Sequence, residues 1–161
     1  MRRVLVAIDF SKIGKFVLGE AAQLVRRLNN GELYVLHVAS LEAYGHLRES
    51  TEIALDQHLE HLHARLQQWA EKVGATGVPL RIEVIPGNDV ADSILAMAEQ
   101  VKAELIVMAS HSRTGLARVV LGSVAESVLR RAQVPVLIIP KAAFRAEELV
   151  VVGAQAQEPA R

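Results

Sequence analysis

Residues 4–9 read Val-Leu-Val-Ala-Ile-Asp. Five apolar residues run without a polar partner and stop at a carboxylate. A strand with one face in water alternates apolar with polar residues, so Val4–Ile8 reads as a strand covered on both faces. Leu33–Ala39, Leu80–Ile85, Leu105–Ala109 and Val134–Ile139 are mostly continuous apolar runs of the same kind. Between them lie segments with helical period. Residues 12–29 end in Asn29-Asn30-Gly31, a helix stop. Leu55, Leu59, Leu62, Leu66, Trp69 and Val73 form one stripe that ends at Gly74. Val90, Ile94, Met97, Ala98 and Val101 repeat the pattern after Asn88, a good N-cap. Ser123-Val124-Ala125-Glu126 is a capping-box pattern, which places the start of a fourth helix at Ser123. The order β-α-β-α-β-α-β-α-β predicts an α/β domain: an open five-stranded parallel sheet with helices on both faces.

Neither an internal repeat nor a linker divides the chain, so residues 1–140 are expected to form one domain. Residues 141–161 are expected to be a partly flexible C-terminal extension. Within it, Lys141–Glu148 reads as a short helix or a loop, Leu149–Val152 as a short strand, and Gly153–Arg161 as a loose end.

Composition narrows the functional classes. The chain has 161 residues, 51% of them apolar, and no cysteine. A domain of this length buries roughly 70% of the surface its unfolded chain exposes, which excludes disorder over most of it. Lacking cysteine, it has no disulfides, thiolate metal sites or thiol catalysis. Lys and Arg number 18 against 18 Asp and Glu, so the basic excess of a duplex-coating protein is absent. Neutrality hides a segregation, however. Residues 1–40 and 101–140 each carry three excess positive charges, and residues 41–100 carry six excess negative ones. That pattern is compatible with one small anion near the first and fourth strands. Some of the excess (Arg26, Arg27, Arg130, Arg131) falls near helix C-termini, where the dipole alone accounts for it. No apolar run approaches the ~20 residues of a membrane span, and Val4–Ile8 is too short for a secretory core. A cytoplasmic protein is expected.

Ligands of open parallel sheets bind beyond the carboxyl ends of the strands, where strand order reverses. Asp9 follows the first strand directly, and Ala109–Gly115 follows the fourth. In the order 3-2-1-4-5 these two segments would face one crevice. Periodicity alone does not supply that order. His58 and His61 are three apart on the second helix but lack a carboxylate to complete a metal set, so they read as a solvated face. His111 has no readable Ser-His-Asp partnership. Both common nucleotide fingerprints, the P-loop and the strand-bound G-x-G-x-x-G, are absent.

Several of these stretches carry a resemblance. Val-Ala-Ile-Asp-Phe-Ser (6–11), Leu36-His37-Val38, Ala-Ser-His-Ser-Arg-Thr-Gly-Leu-Ala-Arg-Val-Val-Leu-Gly-Ser-Val-Ala-Glu (109–126) and Val-Pro-Val-Leu-Ile-Ile-Pro (134–140) resemble the universal stress protein family in order and spacing. The resemblance spans about residues 2–140. It implies the 3-2-1-4-5 sheet, a homodimer, and in one branch an ATP site with the signature G-x2-G-x9-G-[ST]. Here the first two signature glycines are Ala109 and Ser112, while Gly122-Ser123 is retained. If those glycines take φ > 0, a side chain there costs roughly 1–2 kcal/mol, on the scale of a ten-fold change in affinity.

The resemblance implies a nucleotide site formed by Ala7, Asp9, Val38, Met108, Ala109, Ser112, Arg113, Gly122, Ser123 and Val124. Asp9 would accept from ribose hydroxyls or the adenine amine; its other reading is a cap on the first helix. Val38 would contact the base through its backbone, and Met108 and Ala109 would line the nucleoside. Ser123 and the free amides of the fourth helix would hold phosphates. In the competing reading, the capping box occupies the same hydroxyl. Arg113 and Arg118 would pair with phosphates or stand as solvated surface.

The implied function is a stress-response regulator that binds ATP or AMP, with or without Mg2+, and acts as a dimer. The alternative is a family member without nucleotide that works as a dimeric interaction module. Enzymatic turnover beyond slow incidental ATP hydrolysis is not expected. Pairing would use the 134–139 strand, an apolar sheet edge with no charge to discourage it.

Overall fold

Every strand pairing is parallel, and the sheet order is β3-β2-β1-β4-β5. A computed structural model describes residues 2–40, 51–110 and 121–144. The chain runs β1 (Arg2–Ala7), α1 (Lys12–Arg27), β2 (Gly31–Ser40), α2 (Thr51–Lys72), a 3-10 turn (Ala75–Gly77), β3 (Leu80–Gly87), α3 (Val90–Gln100), β4 (Leu105–Ala109), α4 (Ser123–Arg131) and β5 (Val136–Ile139). This is the α/β architecture and strand order expected above.

Side chains of β1 alternate between two cores. Val4, Val6 and Ile8 pack with α1 and α2 through Val17, Leu18 and Leu66, while Leu5 joins Tyr34, Ile94, Met97 and Val128 beneath α3 and α4. Val4, Leu5 and Val6 are fully buried, which explains why their stretch lacks polar alternation. The sheet edges differ from that expectation. Along β3, Arg81 and Glu83 are exposed between half-buried neighbours, and on β5 Leu137 is 42% exposed. Edge strands have a neighbour on one side only, so the helical layers do not fully cover them.

Helix ends show where local signals fail. The stop at Asn29-Asn30-Gly31 is real, since Leu28 N–H turns back to the Val25 carbonyl and Asn30 takes φ 60°. At α3 the N-cap is Asp89 rather than Asn88; its carboxylate accepts from Asp92 N–H at 2.8 Å. At α4 the expected capping box does not form. Gly122 is the N-cap, Ser123 is the first helical residue, and Glu126 pairs with Arg130 at 2.7 Å. β5 starts at Val136 rather than Val134, because Pro135 has no N–H, although its carbonyl already accepts from Ile106 N–H.

One buried charge ties the far end of the sheet. Glu32, 4% exposed, meets Arg81 Nε at 2.8 Å and Arg3 Nε at 3.8 Å, joining β2 to both neighbours. Residues 141–144 form a helical turn that lays Phe144 against Phe16, with ring centroids 5.6 Å apart. The expectations for 145–161 lie outside the described residues. None of the described helices is long and apolar enough to cross a membrane.

Candidate functional site

The carboxyl ends of β1, β2 and β4 open into a cavity of about 530 Å³. That is within the usual range for small-molecule sites, roughly 300–1,000 Å³. Ala7, Ile8 and Asp9 form its floor. Leu36 to Val38 and Ser40 stand on one side, and Met108, Ala109 and Ser110 on the other. Val90 and Ile94 of α3 supply an apolar wall, and Gly122 to Ala125 bring in the first turn of α4. β1 pairs with β2 on one side and β4 on the other, so its end is the point where successive connections diverge across the sheet.

Asp9 is the acidic residue of this lining. Its Oδ1 accepts from Ser11 N–H at 3.2 Å and from Ser11 Oγ at 2.5 Å. Its Oδ2 is buried and has no hydrogen-bond partner among the described residues. The cap of α1 is Ser11, whose Oγ accepts from Gly14 N–H at 3.0 Å. The helix-cap reading of Asp9 is therefore corrected: the carboxylate sits one step behind the cap. An orphaned carboxylate oxygen beside a cavity is costly without a donor, by roughly 1–3 kcal/mol. A bound hydroxyl or amine would remove that cost.

The start of α4 brings the other polarity to the lining. Ser110 N–H donates to the Ile139 carbonyl at 3.0 Å, and the Ser110 carbonyl accepts from Gly122 N–H at 2.8 Å. These bonds hang the start of α4 beside the end of β4. Gly122 has no side chain to cap the helix and Ser123 makes no capping bond, so the positive helix end faces the cavity with an exposed hydroxyl. A carboxylate and the amides of a helix start on one cavity suit a ligand that carries both hydroxyl or amine donors and an anion.

Ala7, Asp9, Val38, Met108, Ala109, Gly122, Ser123 and Val124 all lie on this cavity. Ser112, Arg113, Arg118 and His111 lie outside the described residues. The strain foreseen at Ala109 does not arise. Asn30 and Lys102 alone take positive φ among the described non-glycine residues, and Ala109 completes β4 in ordinary extended backbone.

Sequence reasoning missed Ile8, Gly14, Leu36, His37, Ser40, Val90, Ile94, Ser110 and Ala125 as lining. Val90 and Ile94 were visible as a helical stripe, but nothing local says that part of the stripe faces a cavity. Gly14 had no local signal: a Cβ there would stand 2.1 Å from the Asp9 carbonyl oxygen. Burial disfavours the charged form of His37 and pushes its pKa below the ordinary value. The bond to Ile8 and the charge of Asp9 oppose that shift, and Arg65 and His58 add to it. Among the described residues, no group of three or more acidic or histidine side chains could hold a metal.

The universal stress protein family model matches residues 1–140. The universal stress protein MJ0531 of Methanocaldococcus jannaschii is 29% identical over 146 residues, covering 87% of this chain and 82% of that protein. The solved MJ0577 protein of the same organism superposes with a TM-score of 0.75 at 23% identity, covering 87% of this chain and 96% of the other. A universal stress protein from Archaeoglobus fulgidus, solved in complex with dAMP, is 26% identical with a TM-score of 0.56, covering 86% and 98%. With the family model spanning most of its length, the chain belongs to the universal stress protein family.

Proposed function

We propose that this protein is a stress-response regulator that binds an adenine nucleotide, AMP or ATP, in the cavity at the end of β1 and acts as a homodimer. The observation that carries the reading is the buried Oδ2 of Asp9, without a partner among the described residues, on a cavity that the start of α4 also lines. Asp9 accepts from the nucleoside, and Val38, Met108, Ala7 and Ala109 enclose it. Gly122, Ser123 and Val124 offer amides to the phosphate, as helix N-termini do elsewhere. The dAMP complex of the Archaeoglobus relative supports the ligand class. Ser112 and Arg113 are proposed from the family resemblance alone, as are Mg2+ with ATP, a cytoplasmic location and a role in binding rather than turnover. The domain is taken to be residues 1–140, with 141–161 as its extension.

Pairing of two copies is proposed through the outer edge of β5. That strand is a sheet edge, carries no charge, and leaves Leu137 exposed.

Heat-denaturing the purified protein and chromatographing the supernatant tests the ligand. Released adenine nucleotide, or a rise in melting temperature with millimolar AMP or ATP-Mg2+, is expected. If neither is seen, the binding reading is sunk, and a dimeric interaction module without ligand is left.

A further inference from the structure

Ser11 touches both the helix and the carboxylate. Its Oγ accepts from Gly14 N–H at 3.0 Å and thereby caps α1. A serine hydroxyl has one proton, and here it goes to Asp9 Oδ1 at 2.5 Å. The Ser11 main-chain N–H donates to the same oxygen at 3.2 Å. Both donors converge on Oδ1, and Oδ2 is left buried without a partner among the described residues. A carboxylate with rotational freedom would divide two donors between its oxygens. The bend at residues 10 and 11 brings both Ser11 donors to one oxygen instead, and Gly14 has no Cβ to strike the Asp9 carbonyl.

We propose that Ser11 is a positioning residue: by holding Asp9 Oδ1, it reserves Oδ2 as the acceptor for a ligand donor. This rests on the nucleotide reading of the cavity. It goes beyond it by assigning the orientation of the carboxylate to a residue that does not itself line the cavity. It also links the first turn of α1 to ligand affinity, since one hydroxyl serves both.

The test is a double-mutant cycle on the full chain, with AMP as the probe and affinity read by calorimetry. Ser11→Ala is expected to weaken AMP binding roughly ten-fold, the scale of one hydrogen bond to a charged group. Ser11→Thr, which keeps donor and cap, should stay within about two-fold on the same scale. In an Asp9→Ala background, Ser11→Ala should change affinity by no more than about two-fold, because the carboxylate it orients is gone. Equal losses in both backgrounds, or Ser11→Thr binding as weakly as Ser11→Ala, would overturn the proposal. If the unsubstituted protein binds neither AMP nor ATP, the nucleotide reading falls by itself. The cycle is then read in thermal melts, where non-additive losses uphold the Ser11–Asp9 link and additive losses reject it.

Discussion

The imidazole Nδ1 of His37, on β2, lies 3.0 Å from the main-chain carbonyl oxygen of Ile8, at the end of β1. A carbonyl only accepts, so Nδ1 carries the proton in this bond. Ile8 immediately precedes Asp9, and the bond therefore braces the strand end from which the candidate site hangs. The ring is enclosed by Phe10, whose centroid is 4.6 Å away, and Phe10 in turn meets Trp69 at 5.2 Å and the Arg65 guanidinium at 4.1 Å.

Burial lowers the pKa of His37 from its ordinary 6.5. The unfolded chain then takes up a proton at higher pH than the folded one. The stability this neutral ring allows is complete above about pH 6.5 and declines as pH falls through the lower folded value. Melting temperature should drop on acidification from pH 7.5 to 5. His37→Asn, which offers an amide N–H to Ile8 but does not titrate, should flatten that part of the profile. An unchanged slope would place the acid sensitivity elsewhere.

Gly14→Ala pits two effects against each other. Alanine favours a helix over glycine by about 1 kcal/mol. Its methyl would stand 2.1 Å from the Asp9 carbonyl and 2.8 Å from Oδ1, and relieving such a clash costs roughly 1–3 kcal/mol or more. The clash should win, with a net loss of about 1–2 kcal/mol in urea unfolding. A displaced Asp9 should also weaken AMP binding. A more stable variant would show that the turn can move aside.

Ser123→Ala separates a cap from a ligand contact. Were Ser123 the N-cap, its loss would cost about 1 kcal/mol. As the first helical residue without a capping bond, it should cost less than about 0.5 kcal/mol by denaturant titration. AMP affinity should fall while stability holds, and the reverse outcome would restore the capping box.

Leu137→Lys addresses the β5 edge. The side chain is 42% exposed, so the fold should tolerate the change. If the proposed β5 pairing holds, a charge on that edge should convert a dimer to a monomer in sedimentation velocity. A dimer that survives would place the contact on another surface.

The apolar runs, the helical stripes and the carboxylate ending the first strand were legible because each depends on neighbours within a few residues. Eight of the contacts that the family resemblance implied lie on the cavity, at the ends of β1, β2 and β4 and the start of α4, since strand ends in a parallel sheet all point the same way. Edge exposure was less legible. The alternation of Arg81 and Glu83 in β3 is present in the sequence, but only the sheet order says that this strand lies at an edge.

What the sequence determined by itself was the alternation of strands and helices and the family motifs that mark the sheet order. Continuous burial and helical period are properties of one segment at a time. Tertiary structure alone decided which polar atoms remain unsatisfied. It shifted the α3 and α4 caps by one residue, set Glu32 between two arginines, brought Gly14 against Asp9, and left Asp9 Oδ2 without a donor among the described residues. A hydrogen bond is won by whichever partner packing brings within reach, and residues far apart in the chain settle that competition.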